Sequence, residues 1–317
     1  MQNMEKLNKI RFGNYAKWDF AINKKLYKNA AITIVSLFLG VTVIGFVGNY
    51  IASSRLGIAG FDYRMFEVGV FQVTGWLWNL MEWTISISAG FLFHNMLTKQ
   101  GRIMELTTPA TMEEKFWWHV LMNVGGAIAL CIFTYLACDA IYAILTAIFV
   151  GPDAVTSLFC YYLHDYSFDE IFNVVITSKD VQNDINIINA VKEVFRPLFY
   201  IIPLFVIAKL TFSTGLFGFI NSIKYKNNIP MTLLTFLIII VIFVVIIIVF
   251  TASFILPRAM ADCSSPEVES ELAVSLLNAI FGFIYSLMGI EFIAGICLWI
   301  GTWKNYKKSQ VITAGNK

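Results

Sequence analysis

Between Leu233 and Leu256 the chain reads LLTFLIIIVIFVVIIIVFTASFIL, twenty-four residues without one charged side chain. A helix rises about 1.5 Å per residue, so about 20 residues cross a hydrocarbon layer about 30 Å thick. Helices of water-soluble proteins bury one apolar stripe, whereas this segment is apolar on every side and suits lipid all round. Similar runs recur along the chain. Hydrophobic residues make up 58% of the 317 positions and charged residues 14%, against about 45–50% and about 25% in soluble domains. The class these features predict is an all-α membrane protein.

Six spanning segments are expected, at 30–52, 68–93, 119–150, 195–220, 231–256 and 272–300. Lys and Arg in the connecting pieces alternate in number. Sixteen fall in the N-terminal piece, the second and fourth loops and the tail, and six fall on the opposite side. Acids run the other way, with thirteen in the poorly basic loops and five in the basic ones. The excess of cations on the cytoplasmic side of membrane proteins then predicts that both termini are cytoplasmic. The expected organisation is a cytoplasmic piece at 1–29, a six-helix transmembrane domain at 30–303 with a long acidic outer loop at 151–194, and a tail at 304–317.

The N-terminal piece carries its own pattern. Phe12, Tyr15, Trp18, Ile22 and Leu26 recur at three- and four-residue steps, and Asn14, Lys17, Lys24, Lys25 and Lys28 fall largely opposite. This pattern predicts an amphipathic helix lying in the headgroup layer, aromatics toward the acyl chains and lysines toward anionic lipid. A soluble stub with aromatics in the interfacial belt is the other reading.

Ionisable residues inside spanning segments are costly and face a bundle interior or a wet cavity. Four occur here: Glu82, Asp139, Lys209 and Glu291. Glu82 and Lys209 lie near mid-segment and form the natural ion pair. Glu82 shares a face with Gly75, Asn79, Ser86 and Gly90, a small and polar stripe of the kind that lets helices approach. Either the four residues and Asn79 line a translocation path, or Glu82 and Lys209 lock two helices together as a buried pair.

The loop after the second segment contains Thr111 and, three residues on, Glu114. This is a capping box, in which the hydroxyl accepts from the Glu114 amide and the carboxylate reaches back to the Thr111 amide. Pro109 holds the residue before it extended, so a new helix starts here and continues through Trp117 and Trp118 into the third span. No metal is expected, because His94, His119 and His164 stand apart in sequence from each other and from the cysteines. Cys160 and Cys263 fall in outer loops; they form a disulfide joining those loops or stay as two thiols. The chain has no phosphate-binding G-x-x-x-x-G-K-[ST] loop and no hydrolase or metalloprotease motif. It is therefore expected to be neither an enzyme nor a cofactor or nucleic-acid binder.

The run Thr108-Pro109-Ala110-Thr111, then Glu113-Glu114-Lys115-Phe116, resembles the "Pro-Ala-Ser, then Glu-Lys-Phe" motif of uncharacterised Bacteroidetes-type multi-pass membrane proteins. Phe212-Ser213-x-x-Leu216-x-Gly218, followed by Lys224-Tyr225-Lys226, is similar to their fourth span and its basic exit. Thr111 stands where that group usually has Ser, and Trp117-Trp118-His119 where a basic residue is common. Those proteins in turn resemble the permease subunits of ABC exporters. The resemblance implies a bacterial plasma-membrane protein, with two permeases pairing as a homo- or heterodimer. It also implies that Arg102, Glu105, Pro109, Thr111, Glu113, Glu114, Lys115 and Phe116 touch a separate ATPase subunit. The function it implies is a permease-like subunit of an ABC-type exporter. The rival expectation is a non-transporting scaffold or sensor whose acidic outer loop binds a partner.

Overall fold

A computed structural model describes residues 8–56, 61, 63–155, 157–158, 185–224, a few positions between 234 and 245, and 266–314. Among the described residues all regular structure is helical. The helices are α1 (Lys9–Leu56), α2 (Tyr63–Ala89), α3 (Lys99–Thr107), α4 (Met112–Val120), α5 (Gly126–Phe149), α6 (Ile185–Lys224) and α7 (Pro266–Ala314).

α1 begins at Asn8, whose side-chain oxygen accepts from the amides of Ile10 (3.0 Å) and Arg11 (3.4 Å). Such a cap satisfies amides that have no partner inside the helix. No proline interrupts the next 48 residues, and the helix runs about 72 Å. The expected boundary near Asn29, between a separate interfacial helix and the first span, is therefore absent. Two alanines at 30 and 31 join the halves with the best of helix formers.

The capping box forms as expected. Glu114 N donates to Thr111 Oγ1 at 3.3 Å, and Thr111 N donates to Glu114 Oε2 at 2.9 Å. Thr108, before Pro109, is extended. α4 continues through one π-helical turn (Leu121–Gly125) into α5. In that turn Asn123 Nδ2 donates to the His119 carbonyl at 3.0 Å.

Four helical stretches are long and apolar enough to cross a bilayer: Lys9–Ser54, Met112–Phe149, Leu204–Ile223 and Gly282–Lys308. They fit a membrane protein; the expected six spans extend beyond the described residues, among which these four qualify. α2 has 27 residues but carries Glu67, Gln72, Asn79 and Glu82, and it is not one of the four. The segment 231–256 lies largely outside the described residues.

The chain divides into two compact units, Met1–Asp165 with Trp303–Lys317, and Tyr166–Thr302. In the first, α1, α2 and α5 pack together around buried Phe38, Phe46, Phe66, Val70, Leu77 and Tyr142. Asn49 is the polar clamp of this core. Its Nδ2 donates to the Phe66 carbonyl (2.8 Å) and to Tyr142 Oη (3.0 Å). Gly69 leaves room for it, since a Cβ there would strike the Asn49 amide. In the second unit α6 and α7 meet backbone to backbone. A Cβ on Gly295 would lie 2.7 Å from Phe212 N, and one on Gly215 would lie 2.9 Å from the Gly295 carbonyl.

Candidate functional site

The first half of α1 has a second period beside its aromatic one. Tyr15, Asp19, Asn23 and Tyr27 recur every four residues, which places them on one face. That face meets the turn His94–Met96, Glu105 of α3 and the end of α4, and through Glu105 the end of α7, all within the first unit. Two carboxylates organise the contact, and both are fully buried.

Asp19 accepts four hydrogen bonds. Asn23 Nδ2 (2.8 Å) and Asn95 Nδ2 (2.7 Å) donate to Oδ1, and Tyr27 Oη (2.8 Å) and Trp118 Nε1 (2.8 Å) donate to Oδ2. Two oxygens that only accept are matched by four groups that donate.

Glu105 gathers more distant pieces of chain. Tyr15 Oη donates to Oε1 at 2.6 Å, Tyr306 Oη at 3.3 Å, and Asn95 Nδ2 donates to Oε2 at 3.2 Å. His119 Nε2 lies 3.2 Å from Oε1 and 3.0 Å from Tyr15 Oη. Lys115 Nζ donates to the Glu105 backbone carbonyl. Burial by itself raises the Glu105 pKa. The hydrogen bond and charge of His119, the Tyr15 hydroxyl and the Lys115 ammonium outweigh that effect and hold the pKa at about 2. One carboxylate thus ties α3 to α1, α4 and the end of α7.

A second clasp lies beside the first. Arg11 Nε donates to Glu114 at 2.7 Å (Oε2) and 3.1 Å (Oε1), and Asn8 N donates to Oε1 at 3.0 Å. The residue that caps α4 therefore also holds the start of α1. On the α7 side Phe116 packs against Trp303 (ring centroids 4.8 Å) and Tyr306 (5.5 Å). His94 and His119, far apart in sequence, come within 5.7 Å between ring centroids. His94 Nδ1 bonds the Phe91 carbonyl at 2.8 Å, and burial lowers the His94 pKa, with the neighbouring His119 adding to the effect.

The cluster saturates both carboxylates with donors and leaves His94 Nε2 and His119 Nδ1, both buried, without a hydrogen-bond partner among the described residues. It holds four segments in register. Among the described residues no group of three His, Cys, Asp or Glu is arranged to hold a metal.

Of the loop residues expected to face a partner, Glu105, Glu114, Lys115 and Phe116 point inward and are buried. Arg102 is exposed, with Nε donating to the Met96 carbonyl at 2.9 Å. Pro109 is exposed, and Thr111 and Glu113 are half-exposed. Glu113 Oε1 stands 3.7 Å from Lys307 Nζ, which also sits 4.5 Å above the Trp303 ring.

Asp139 accepts from Ser157 Oγ (2.8 Å) and Leu158 N (2.5 Å) and so anchors the chain that follows α5. Glu82 belongs to the first unit, and Lys209 and Glu291 belong to the second. Asn79 is exposed and donates to the Gly75 carbonyl at 2.8 Å. Cys160, Cys263 and His164 lie outside the described residues.

Asp19, Asn23, Asn95, Trp118, His119 and Tyr306 were not singled out from sequence. The four-residue stripe from Tyr15 to Tyr27 was the available signal, and the aromatic periodicity overlying it hid it. Compared with known proteins, the chain matches no family model, no curated protein and no solved structure.

Proposed function

We propose that this chain is the permease-like membrane subunit of an ABC-type exporter in a bacterial plasma membrane, with both termini cytoplasmic and a separate ATPase supplying the energy. The observation that carries the reading is the Glu105 junction. One buried carboxylate joins the short α3–α4 hairpin to α1, to the helix that continues as α5, and to the end of α7. A push on the exposed tip of that hairpin, around Thr107, Pro109 and Glu113, moves long apolar helices together. A rigid polar joint suits transmission of motion, since a buried network whose two carboxylates are saturated by donors resists shear between its members.

In this reading the tip, and not the buried Glu105, Glu114, Lys115 and Phe116, makes the ATPase contact. The apolar helices in pairs of subunits form the route, and the chain carries no catalytic step of its own.

The test is purification of the tagged full chain from its native membrane in mild detergent. An ATPase is expected to accompany it and to be lost on Pro109→Asp with Glu113→Lys. ATP-dependent movement of a lipophilic dye into inverted vesicles is expected to fall at least tenfold in the same variant. An isolated chain with no ATPase, or a complex indifferent to those substitutions, overturns the reading. Retention of a partner that depends only on 165–186 points instead to a scaffold or sensor.

A further inference from the structure

The junction sorts its charges by sign. Asp19, Glu105 and Glu114 are all fully buried, each occupied by donors within the protein. Glu113, half-exposed, is the remaining acid of this region among the described residues. Apart from Lys115, buried against the Glu105 carbonyl, and half-buried Arg11, paired with Glu114, the cations stay outside: Lys9, Lys17, Lys24, Lys25 and Lys28 on α1, and Lys99 and Arg102 on α3, are all exposed. Asn23 Nδ2 donates to Asn95 Oδ1 at 2.9 Å, and Tyr27 packs on His94 with ring centroids 6.1 Å apart. The stretch of α1 that carries Lys24, Lys25 and Lys28 therefore touches the turn that leads into Lys99. A stretch whose acids are withdrawn inside presents a nearly pure positive surface.

We infer that this sign-sorted surface, formed by Lys17, Lys24, Lys25 and Lys28 of α1 with Lys99 of α3, is a docking collar for the anionic phospholipid headgroups of the membrane the chain sits in.

Two observations select lipid over a nucleic acid or an acidic protein. Phe20 (47% exposed), Ile22 (48%), Leu26 (39%) and Ile103 (53%) stand among the cations, an alternation that matches headgroup phosphate above acyl chain. The lysines are also on the helix that enters the apolar run. Lys24, Lys25 and Lys28 lie within about 9 Å, along the axis, of Ala30 where that run begins. Cations immediately outside a spanning helix feel the negative potential of an anionic leaflet, each worth about a fivefold change in binding. The buried acids are part of the device. Were Asp19 and Glu105 on the surface, they would cancel part of that attraction. The inference rests on the membrane reading alone and stands or falls apart from transport.

The test uses the full chain in mild detergent. Phosphatidylglycerol and phosphatidylcholine of identical acyl chains are offered together, and retained lipid is read by native mass spectrometry beside the unfolding temperature. Phosphatidylglycerol is expected to be retained about tenfold or more over phosphatidylcholine, as several screened charges acting together allow. The preference is expected to shrink as salt rises. Lys24→Gln/Lys25→Gln/Lys28→Gln/Lys99→Gln brings it near parity without changing the unfolding temperature in phosphatidylcholine, and the same four positions changed to Arg keep it. Equal retention of the two lipids by the unaltered chain overturns the inference, as does a preference that survives the Gln substitutions. Inorganic phosphate reproducing the stabilisation would mean a free-anion site, and capture of RNA or an acidic protein with lipids indifferent would mean another occupant. Either outcome also overturns it.

Discussion

Two contacts in this molecule solve one problem in opposite ways. At the base of the first unit, segments are held by a network built on Glu105 and Asp19, with tyrosines, asparagines, an indole and a histidine as donors. In the second unit α6 and α7 are held by the absence of side chains at Gly215 and Gly295, with Trp299 Nε1 reaching Thr214 Oγ1 at 3.3 Å. Helices in lipid gain little from apolar burial, because lipid tails are as apolar as leucine, and what remains is close packing or hydrogen bonding. The polar joint connects four segments in a fixed geometry. The glycine joint connects two through close approach of their backbones. The first suits a part that must transmit movement as a block, the second a seam between two rods.

The comparison breaks most visibly at Glu105. Glu105→Ala strands the hydroxyls of Tyr15 and Tyr306, the Asn95 amide and His119 in a buried space. Removing one partner of a buried charged network costs about 3–5 kcal/mol. Thermal unfolding in detergent is expected to drop by many degrees, and a shift of less than about 2 °C would show that the network holds nothing.

Gly295→Leu tests the other joint. Its Cβ would meet backbone atoms that cannot step aside, and overpacking of this kind costs about 1–3 kcal/mol. The loss is expected to be smaller than at Glu105 and confined to the α6–α7 contact. Cysteine cross-linking between Thr214 and Trp299 positions, unchanged in yield in the Leu variant, would refute the seam.

Acidity acts on the polar joint more than on the seam. His94 has a folded pKa below its ordinary 6.5, so the unfolded chain takes up the proton first. Stability is therefore full above pH 6.5 and falls as pH drops below it, by up to about 1.4 kcal/mol per pH unit. Glu105, depressed from 4.5 to about 2, adds stability that is full above pH 4.5 and disappears as pH falls through about 2. Unfolding followed from pH 8 to 5 should show the first loss, and His94→Gln should flatten it. A slope of opposite sign would mean that His94 is charged in the fold.

The smallest effect belongs to Glu113 and Lys307. Their side chains are 36% and 52% exposed and 3.7 Å apart, and a pair so wet contributes about 0–1 kcal/mol. A double-mutant cycle with Glu113→Gln and Lys307→Gln is expected to give a coupling below about 0.5 kcal/mol. A larger value would add the tip of the hairpin to the rigid joint.

Much of this was legible in the chain. Helical class and long apolar runs follow from composition and period, and the Thr111–Glu114 capping box was readable from its spacing because it is a local device. The same Glu114 also receives Arg11 and Asn8, from 103 and 106 residues away, and no spacing announces that. Tyr15 illustrates the limit. Its place in an aromatic period suggested a lipid-facing ring, yet its hydroxyl makes the shortest bond to the Glu105 carboxylate. A tyrosine serves apolar surroundings and a buried acceptor equally well, so its neighbour decides which.

The sequence by itself determined that the chain makes long apolar helices with basic ends, because lipid solubility and helix length depend only on which residues come in a row. Tertiary structure decided which acids would be swallowed and which cations left outside. That choice depends on donors supplied from four separate stretches of chain, and only their meeting in space makes a buried carboxylate tolerable.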